Sequence, residues 1–467
     1  MKFKQVNQKL PVLIDLFSGG GGFAFGFRSA GFQVGGGIDI DPSATTTASY
    51  NLSWKFGEES CHYAQDITKI DSSFLQSVAS NNSSNGFVVI GGPPCQAYSA
   101  IGRGKLKSLG ADRSYLKDSR GRLYLDFLRI ALELDARAVV MENVPESMNY
   151  GDQNIPEEVC EMLNDAGYIA RWSILNAADF GVPQIRERMF VMAIKKTEGI
   201  EPKFPIPTHR SPDGRSGIYM QRINSLSANR YFVPPNEPAE DALPWITVKE
   251  ALSDLPSLFP TVNSKYRLYE PNAMLHYPTD PQNAYQRLMR NWTGTGSNGV
   301  TGHGFRRTAR DFPIFSRMKP DDNYINASEI AEELLKQQCD ELGITEADHP
   351  ERYQALRKKI VPPYNRDKFH DKWKRLNPDK PSHTLVAHLS VDTYSHIHPW
   401  EPRGISVREA ARLQSFPDEY LFQCSMGDAF RQIGNAVPPL LAYAIADQLS
   451  ALLIGKDLYS KGALYGS

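Results

Sequence analysis

The chain is poor in cysteine and offers nothing to pair what it has. Cys61, Cys95, Cys160, Cys339 and Cys424 are scattered over 467 residues, odd in number, and none forms a CxxC pair. This spacing indicates neither a disulfide framework nor a cysteine-based zinc site, and no metal is expected. Net charge is also lacking: at −1, composition does not announce a nucleic-acid binder, so any basic surface must be local. No run approaches the roughly eighteen apolar residues that a membrane span needs. The opening Met1-Lys2-Phe3-Lys4-Gln5 lacks the apolar core of a signal peptide, which points to a cytoplasmic or nuclear protein. What remains, 41% hydrophobic and 22% charged, is ordinary for a globular chain long enough for two or three domains.

The most informative stretch is Gly91-Gly92-Pro93-Pro94-Cys95-Gln96. It follows Phe87-Val88-Val89-Ile90, which reads as a buried strand, and two glycines and two prolines end that strand sharply. A thiol on a strand-to-loop turn stands where an open α/β sheet keeps its chemistry. A free cysteine is more often an inert small hydrophobe, so Cys95 needs support from elsewhere.

Upstream, residues 12–17 read as a first strand, Ser18-Gly19-Gly20-Gly21-Gly22 as a turn and 23–30 as a helix. A second strand over 34–40 carries Asp39 about twenty positions past the glycines, a spacing that suits ribose hydroxyls. These signals leave S-adenosylmethionine and a dinucleotide both open. A helix is predicted over 42–52. Residues 64–68 end a third strand, with Asp66 either a second cofactor contact or a helix cap. Residues 97–121 set Gly102, Gly104 and Gly110 among Arg103, Lys105, Lys107, Arg113, Lys117 and Arg120. Such a basic loop is suited to closing over an anionic substrate. A helix over 123–134 and a buried strand over 138–141 lead to Glu142, a carboxylate placed to act as general acid. A helix over 157–166 and strands over 168–175 and 189–194 follow. Between those strands, Arg186 and Arg188 at i, i+2 in extended chain aim into one site.

Composition changes near residue 196, where Pro202, Pro205, Pro207 and Pro212 mark a linker. Periodicity stays poor to about residue 375 apart from a helix over 328–342, with Asn326 and Glu329 as a capping box. Arg287, Arg290, Arg306, Arg307, Arg310, Arg317 and Lys319, interrupted by Trp292 and the glycine-rich 293–304, suit a loop surface laid on nucleic acid. Order returns with a helix over 407–414, a turn over 433–439 and an apolar-faced helix over 440–454.

Six stretches carry a family resemblance. They are Asp15-Leu16-Phe17-Ser18-Gly19-Gly20-Gly21-Gly22, Pro93-Pro94-Cys95-Gln96, Met141-Glu142-Asn143-Val144, Gln184-Ile185-Arg186-Glu187-Arg188, Arg408-Glu409-Ala410-Ala411-Arg412-Leu413-Gln414, and Gln432-Ile433-Gly434-Asn435-Ala436-Val437-Pro438-Pro439. In this order they resemble the DNA (cytosine-5)-methyltransferase family, over residues 12–195 and 380–455. The resemblance implies a Rossmann-like α/β methyltransferase fold: a mostly parallel sheet with one antiparallel strand, helices on both faces, and a smaller irregular target-recognition lobe. The implied division is a catalytic part over 1–195, a recognition part over 196–378, and a C-terminal part over 379–467 that returns to the first.

The implied cofactor is S-adenosylmethionine and the partner double-stranded DNA. Cys95 would attack C6 of a flipped cytosine, Glu142 would serve N3, Arg188 would hold O2, and Arg186 would support Cys95 and the base. Phe17, Gly19, Gly21, Asp39, Ile40, Asp66, Pro94, Leu123 and Asn435 would hold the cofactor. Many relatives carry Glu where Asp39 stands and an aromatic residue where Ile40 stands. Gln96, Ser99, Arg103, Arg287, Arg290, Arg306, Arg307 and Arg310 would meet DNA. The expected enzyme is a monomeric, prokaryotic, nucleoid-associated modification enzyme, with a cognate restriction endonuclease acting on the same site. An RNA cytosine-5 methyltransferase and a catalytically silent DNA-binding regulator are the alternatives.

Overall fold

The structure is a computed structural model that describes residues 4, 7, 9–79, 85–94, 123–149, 154–258, 270–306, 310–364 and 372–455. Seven strands form one sheet: β1 (Val12–Leu16), β2 (Val34–Asp39), β3 (His62–Ala64), β4 (Phe87–Gly91), β5 (Ala138–Asn143), β6 (Tyr168–Asn176) and β7 (Glu187–Lys195). Their order is β3-β2-β1-β4-β5-β7-β6. Only β7 runs against its neighbours. This is the mostly parallel, Rossmann-like sheet that the motifs implied. The winding reverses between β1 and β4, and the crevice at the strand ends there is where such sheets bind ligands.

Alternation along the strands divides the core into two layers. Leu13, Val88, Ile90, Ala138, Val140 and Phe190 face one layer. Val12, Ile14, Val89, Val139, Met141 and Val191 face the other. The first layer is covered by α1 (Gly22–Ser29), and the second by α4 (Leu123–Glu133) and α5 (Ile155–Asp165). Helices α2 (Pro42–Leu52) and α3 (Ser72–Ala79) flank β2. Asp41 caps α2 by accepting from Ser43 N, and Pro42 occupies its first turn, where no N–H is needed.

The middle of the chain holds more helix than its periodicity indicated: α6 (Gly217–Leu226), α7 (Val248–Leu252), α8 (Ala284–Arg290), α9 (Phe312–Arg317), α10 (Tyr324–Leu342) and α11 (Pro350–Ile360). Helix α10 begins four residues before the expected Ser328. Its capping box is Asn323 with Asn326, rather than Asn326 with Glu329, so Asn326 sits inside the first turn. The packing seam does not fall at residue 196. Tyr219 and Ile223 join the second core layer. Val248, Leu252, Tyr285, Met289 and Trp292 join the first. Separate clusters form around Phe305, Phe315, Tyr324, Trp373 and Ile397, and around Leu335, Cys339 and Ile344.

The end of the chain supplies α12 (Val407–Leu413), α13 (Met426–Asn435) and α14 (Pro439–Ile454). The expected turn over 433–439 is shorter: α13 runs to Asn435, residues 436–438 link it to α14, and Pro439 stands at a helix start as expected. Gly434 lies within α13, and glycine is required there because the Val386–Ala387 backbone lies where a Cβ would be. Met426–Ile454 does reach the length and hydropathy of a membrane span, contrary to the reading of the sequence. Here it is two helices, and α14 buries Leu440, Leu441, Ile445 and Leu449 in the first core layer. Each such side chain contributes roughly 1.5–3 kcal/mol. Gly26 lets α1 and α14 cross closely, since a Cβ there would lie 2.6 Å from Tyr443 N.

A buried ring of alternating charge fixes the middle segment to the C-terminal one. Asp254 accepts from Arg412 Nη1 (3.0 Å) and Arg290 Nε (2.8 Å). Asp418 accepts from Arg412 Nε (2.6 Å) and Tyr277 Oη (2.5 Å), and the Arg290 guanidinium lies 3.6 Å from the Tyr277 ring centre. Burial alone would disfavour the charged groups; the Arg412 guanidinium instead pulls the Asp418 carboxyl below its ordinary range. Asp254→Ala leaves the buried Arg290 without a carboxylate and Arg412 with Asp418 alone. It is expected to cost about 3–5 kcal/mol, read as a lowered urea midpoint. An unchanged midpoint would mean that the ring contributes nothing to stability.

Candidate active site

The carboxyl ends of β1, β2, β4 and β5 and the start of β7 open onto one cavity of about 730 Å³. Phe17, Gly19, Asp39, Ile40, Asp66, Pro94, Leu123, Glu142, Arg186, Arg188 and Asn435, all expected at a site, line it. Gly21 does not. Its Cβ would lie 2.9 Å from both Leu52 and the Tyr420 hydroxyl, so Gly21 is needed for packing, while Gly20 and Gly22 meet the cavity.

The turn after β1 is tightly bent. Phe17 (φ 59°) and Gly19 (φ 51°) both lie in the left-handed region. For a phenylalanine that conformation is costly and persists only where the surroundings enforce it. Asp39 helps to enforce it: Gly19 N–H donates to Oδ2 (2.8 Å) and Asp41 N–H to Oδ1 (2.9 Å). Burial raises the Asp39 pKa, opposed by these backbone donors. Asp66 accepts from the Thr68 hydroxyl (2.8 Å) and Thr68 N–H (3.1 Å), which hold its carboxyl below the ordinary range. It is therefore both the cap of a short helical turn and a wall of the cavity.

The other half of the cavity carries a buried ion pair. Arg188 Nε lies 2.9 Å from Glu142 Oε1. Burial raises the Glu142 pKa, opposed by Arg188 and then Arg186. Asn143 Nδ2 donates to the Pro93 carbonyl (2.9 Å), anchoring the turn that leads to Cys95 against the end of β5. Gly92 leaves room for the acid, since a Cβ there would lie 2.9 Å from Glu142 Oε2. Gly92→Ala should displace that carboxylate. An ångström-scale shift of this kind costs on the order of 10²-fold in kcat. Steady-state kinetics checks it, and an unchanged kcat would show that Glu142 tolerates the methyl group.

Arg186 is tied up differently from Arg188. It is buried, and its guanidinium donates to the carbonyls of Leu385 (2.7 Å), Gly434 (2.9 Å) and Ala436 (3.2 Å). It clamps the C-terminal wall of the cavity to β7. Cys95, Gln96, Ser99, Arg103 and Arg307, with the loop 97–121, lie outside the described residues.

The basic stretch 287–319 does not form one surface. Arg287 is exposed on α8. Arg290 is buried against Asp254, which corrects its expected role on DNA: a paired interior arginine is not free to meet phosphate. Arg306 Nη2 donates to Ser390 O (2.8 Å) and Arg310 Nε to Asp311 (2.7 Å). The structure also brings in Ser18, Arg431 and Gln432, which sequence reasoning did not single out as ligands. Ser18 and Gln432 stood inside quoted motifs; Arg431 stands just outside one.

The donor set fits S-adenosylmethionine. Asp39 presents two carboxylate oxygens where a ribose would lie. Ile40, 74% exposed, offers an apolar face for a purine, and Ser18 Oγ is buried in the wall without a partner among the described residues.

The family model for C-5 cytosine-specific DNA methylases matches residues 12–451. M.OihORF3336P of Oceanobacillus iheyensis is 52% identical over 96% of this chain and 97% of its own length. The type II methyltransferase M.AgeI of Thalassovita gelatinovora is 31% identical, over 94% and 99%. A crystal structure of an E. coli prophage-encoded protein shares the fold, with a TM-score of 0.62, 23% identity, and coverage of 95% and 100%.

Proposed function

The chain belongs to the C-5 cytosine-specific DNA methylase family, and from that premise we propose a covalent route through Cys95 on a cytosine flipped out of duplex DNA. The activity is DNA (cytosine-5-)-methyltransfer, with S-adenosylmethionine as cofactor. The observation that carries the finer reading is the junction of two strand ends. The Gly92-Pro93-Pro94 turn, one residue from Cys95, is bonded to Asn143, next to the buried Glu142–Arg188 pair.

Cytosine C5 is a poor nucleophile. In the proposed route, the Cys95 thiolate bonds to C6, the C5=C6 π pair moves toward C5, and Glu142 supplies a proton or strong hydrogen bond at N3. Arg188 orients Glu142 and holds the cytosine O2. The cofactor supplies an electrophilic methyl group. Loss of the C5 proton then restores the double bond and expels the thiolate. Attack above the ring plane requires the base to leave the stack.

The biological setting we infer is site protection: a monomer in the prokaryotic cytoplasm, on nucleoid DNA, marking sites that a cognate endonuclease cuts. The names of type II methyltransferase relatives support this. Expression in a methylation-free host followed by bisulfite sequencing tests it. Protected cytosines in one fixed sequence context are expected. An unmodified genome would overturn the reading, and 5-methylcytosine confined to tRNA would favour the RNA alternative.

A further inference from the structure

We propose that Arg431 binds the α-carboxylate of S-adenosylmethionine and so fixes the amino-acid end of the cofactor. The inference rests on that cofactor occupying the cavity. Arg431 and Asn435 are one turn apart on α13, hence on one face of the helix, and both line the cavity. The cofactor carries two positive groups, a sulfonium and an ammonium, and one negative group, the carboxylate. Only the last favours a guanidinium.

The other two arginines that line the cavity among the described residues are committed. Arg188 pairs with Glu142, and Arg186 donates to three carbonyls. Arg431 is anchored but not used up. Its Nη2 donates to Asp41 (2.9 Å) and Asp428 (2.7 Å), while Nε and Nη1 have no partner among the described residues. The two carboxylates hold the planar group in place and leave donors for a third, a geometry that lysine would not reproduce. Asp41 belongs to the same turn as Asp39 and Ile40, so the pair also links the nucleoside side of the cavity to α13.

Titration calorimetry of wild type, Arg431→Gln and Arg431→Lys tests this, using S-adenosylmethionine and its decarboxylated analogue. The Arg431 side chain is 45% exposed, so both variants should fold, and thermal melting verifies it. Arg431→Gln should weaken S-adenosylmethionine by about tenfold or more. It should leave the decarboxylated analogue within about twofold, because the partner group is already missing. Arg431→Lys should recover part of the loss. Equal weakening of both ligands, or none of either, would overturn the proposal and make Arg431 a strut between Asp41 and α13. Failure of wild type to bind either ligand would instead overturn the cofactor reading on which the proposal stands.

Discussion

Cys95→Ala is expected to lower kcat by on the order of 10⁴-fold or more while cofactor and DNA affinities stay near wild type. On the proposed route the thiolate makes an attack that no described group of the cavity wall offers. Glu142 is held by Arg188, and the aspartates lie at the strand ends on the cofactor side. Without addition at C6, C5 has no electron pair to offer. Cys95→Ser is the sharper variant, because it keeps size and hydrogen bonding but a hydroxyl is a far weaker nucleophile at neutral pH. It should be nearly as inactive as alanine. Single-turnover methyl transfer to duplex DNA, with cofactor binding measured in parallel, separates this from misfolding. Activity within about tenfold of wild type would remove Cys95 from the chemistry.

Glu142→Gln is expected to lower kcat by about 10²–10⁴-fold, the range for loss of a positioned acid. The pH profile gives the independent readout. Burial raises the Glu142 pKa, and the two arginines oppose that without reversing it. The protonated form therefore persists to higher pH than in an exposed glutamate. Activity that depends on this proton should be full below the raised pKa and fall as pH climbs through it, while demand for the Cys95 thiolate acts in the opposite direction. The glutamine variant should lose the falling limb and keep the rising one. A variant that retains both limbs would assign the falling limb to another group.

The sheet was legible where the signals are local. Gly91 through Pro94 end β4, Glu142 is the last residue but one of β5, and Asp39 ends β2, because strand ends are written in glycine, proline and short apolar runs. Features set by distant contacts were not legible. Gly434 and Asn435 read as a turn by propensity, yet they close α13, and the glycine is there because the chain at 386–387 leaves no room for a Cβ. Arg290 looked like a DNA contact because its partner Asp254 stands 36 positions away. Short helices such as α7 and α9 bury much of their length, which leaves no long amphipathic pattern to detect. At the site, residue types were readable but their partners were not: the sequence brought Arg186 and Arg188 to one place, and only packing shows that one clamps carbonyls and the other pairs with an acid.

The most direct test is to incubate the protein with S-adenosylmethionine and duplex DNA carrying 5-fluorocytosine at its methylated site. With fluorine on C5 no proton can be lost, so the thiolate cannot leave. A denaturation-resistant protein–DNA adduct is predicted, with methylated 5-fluorocytosine attached by mass spectrometry to Cys95 and no adduct from Cys95→Ala. An active enzyme that forms no adduct, or one attached to another residue, would contradict the account.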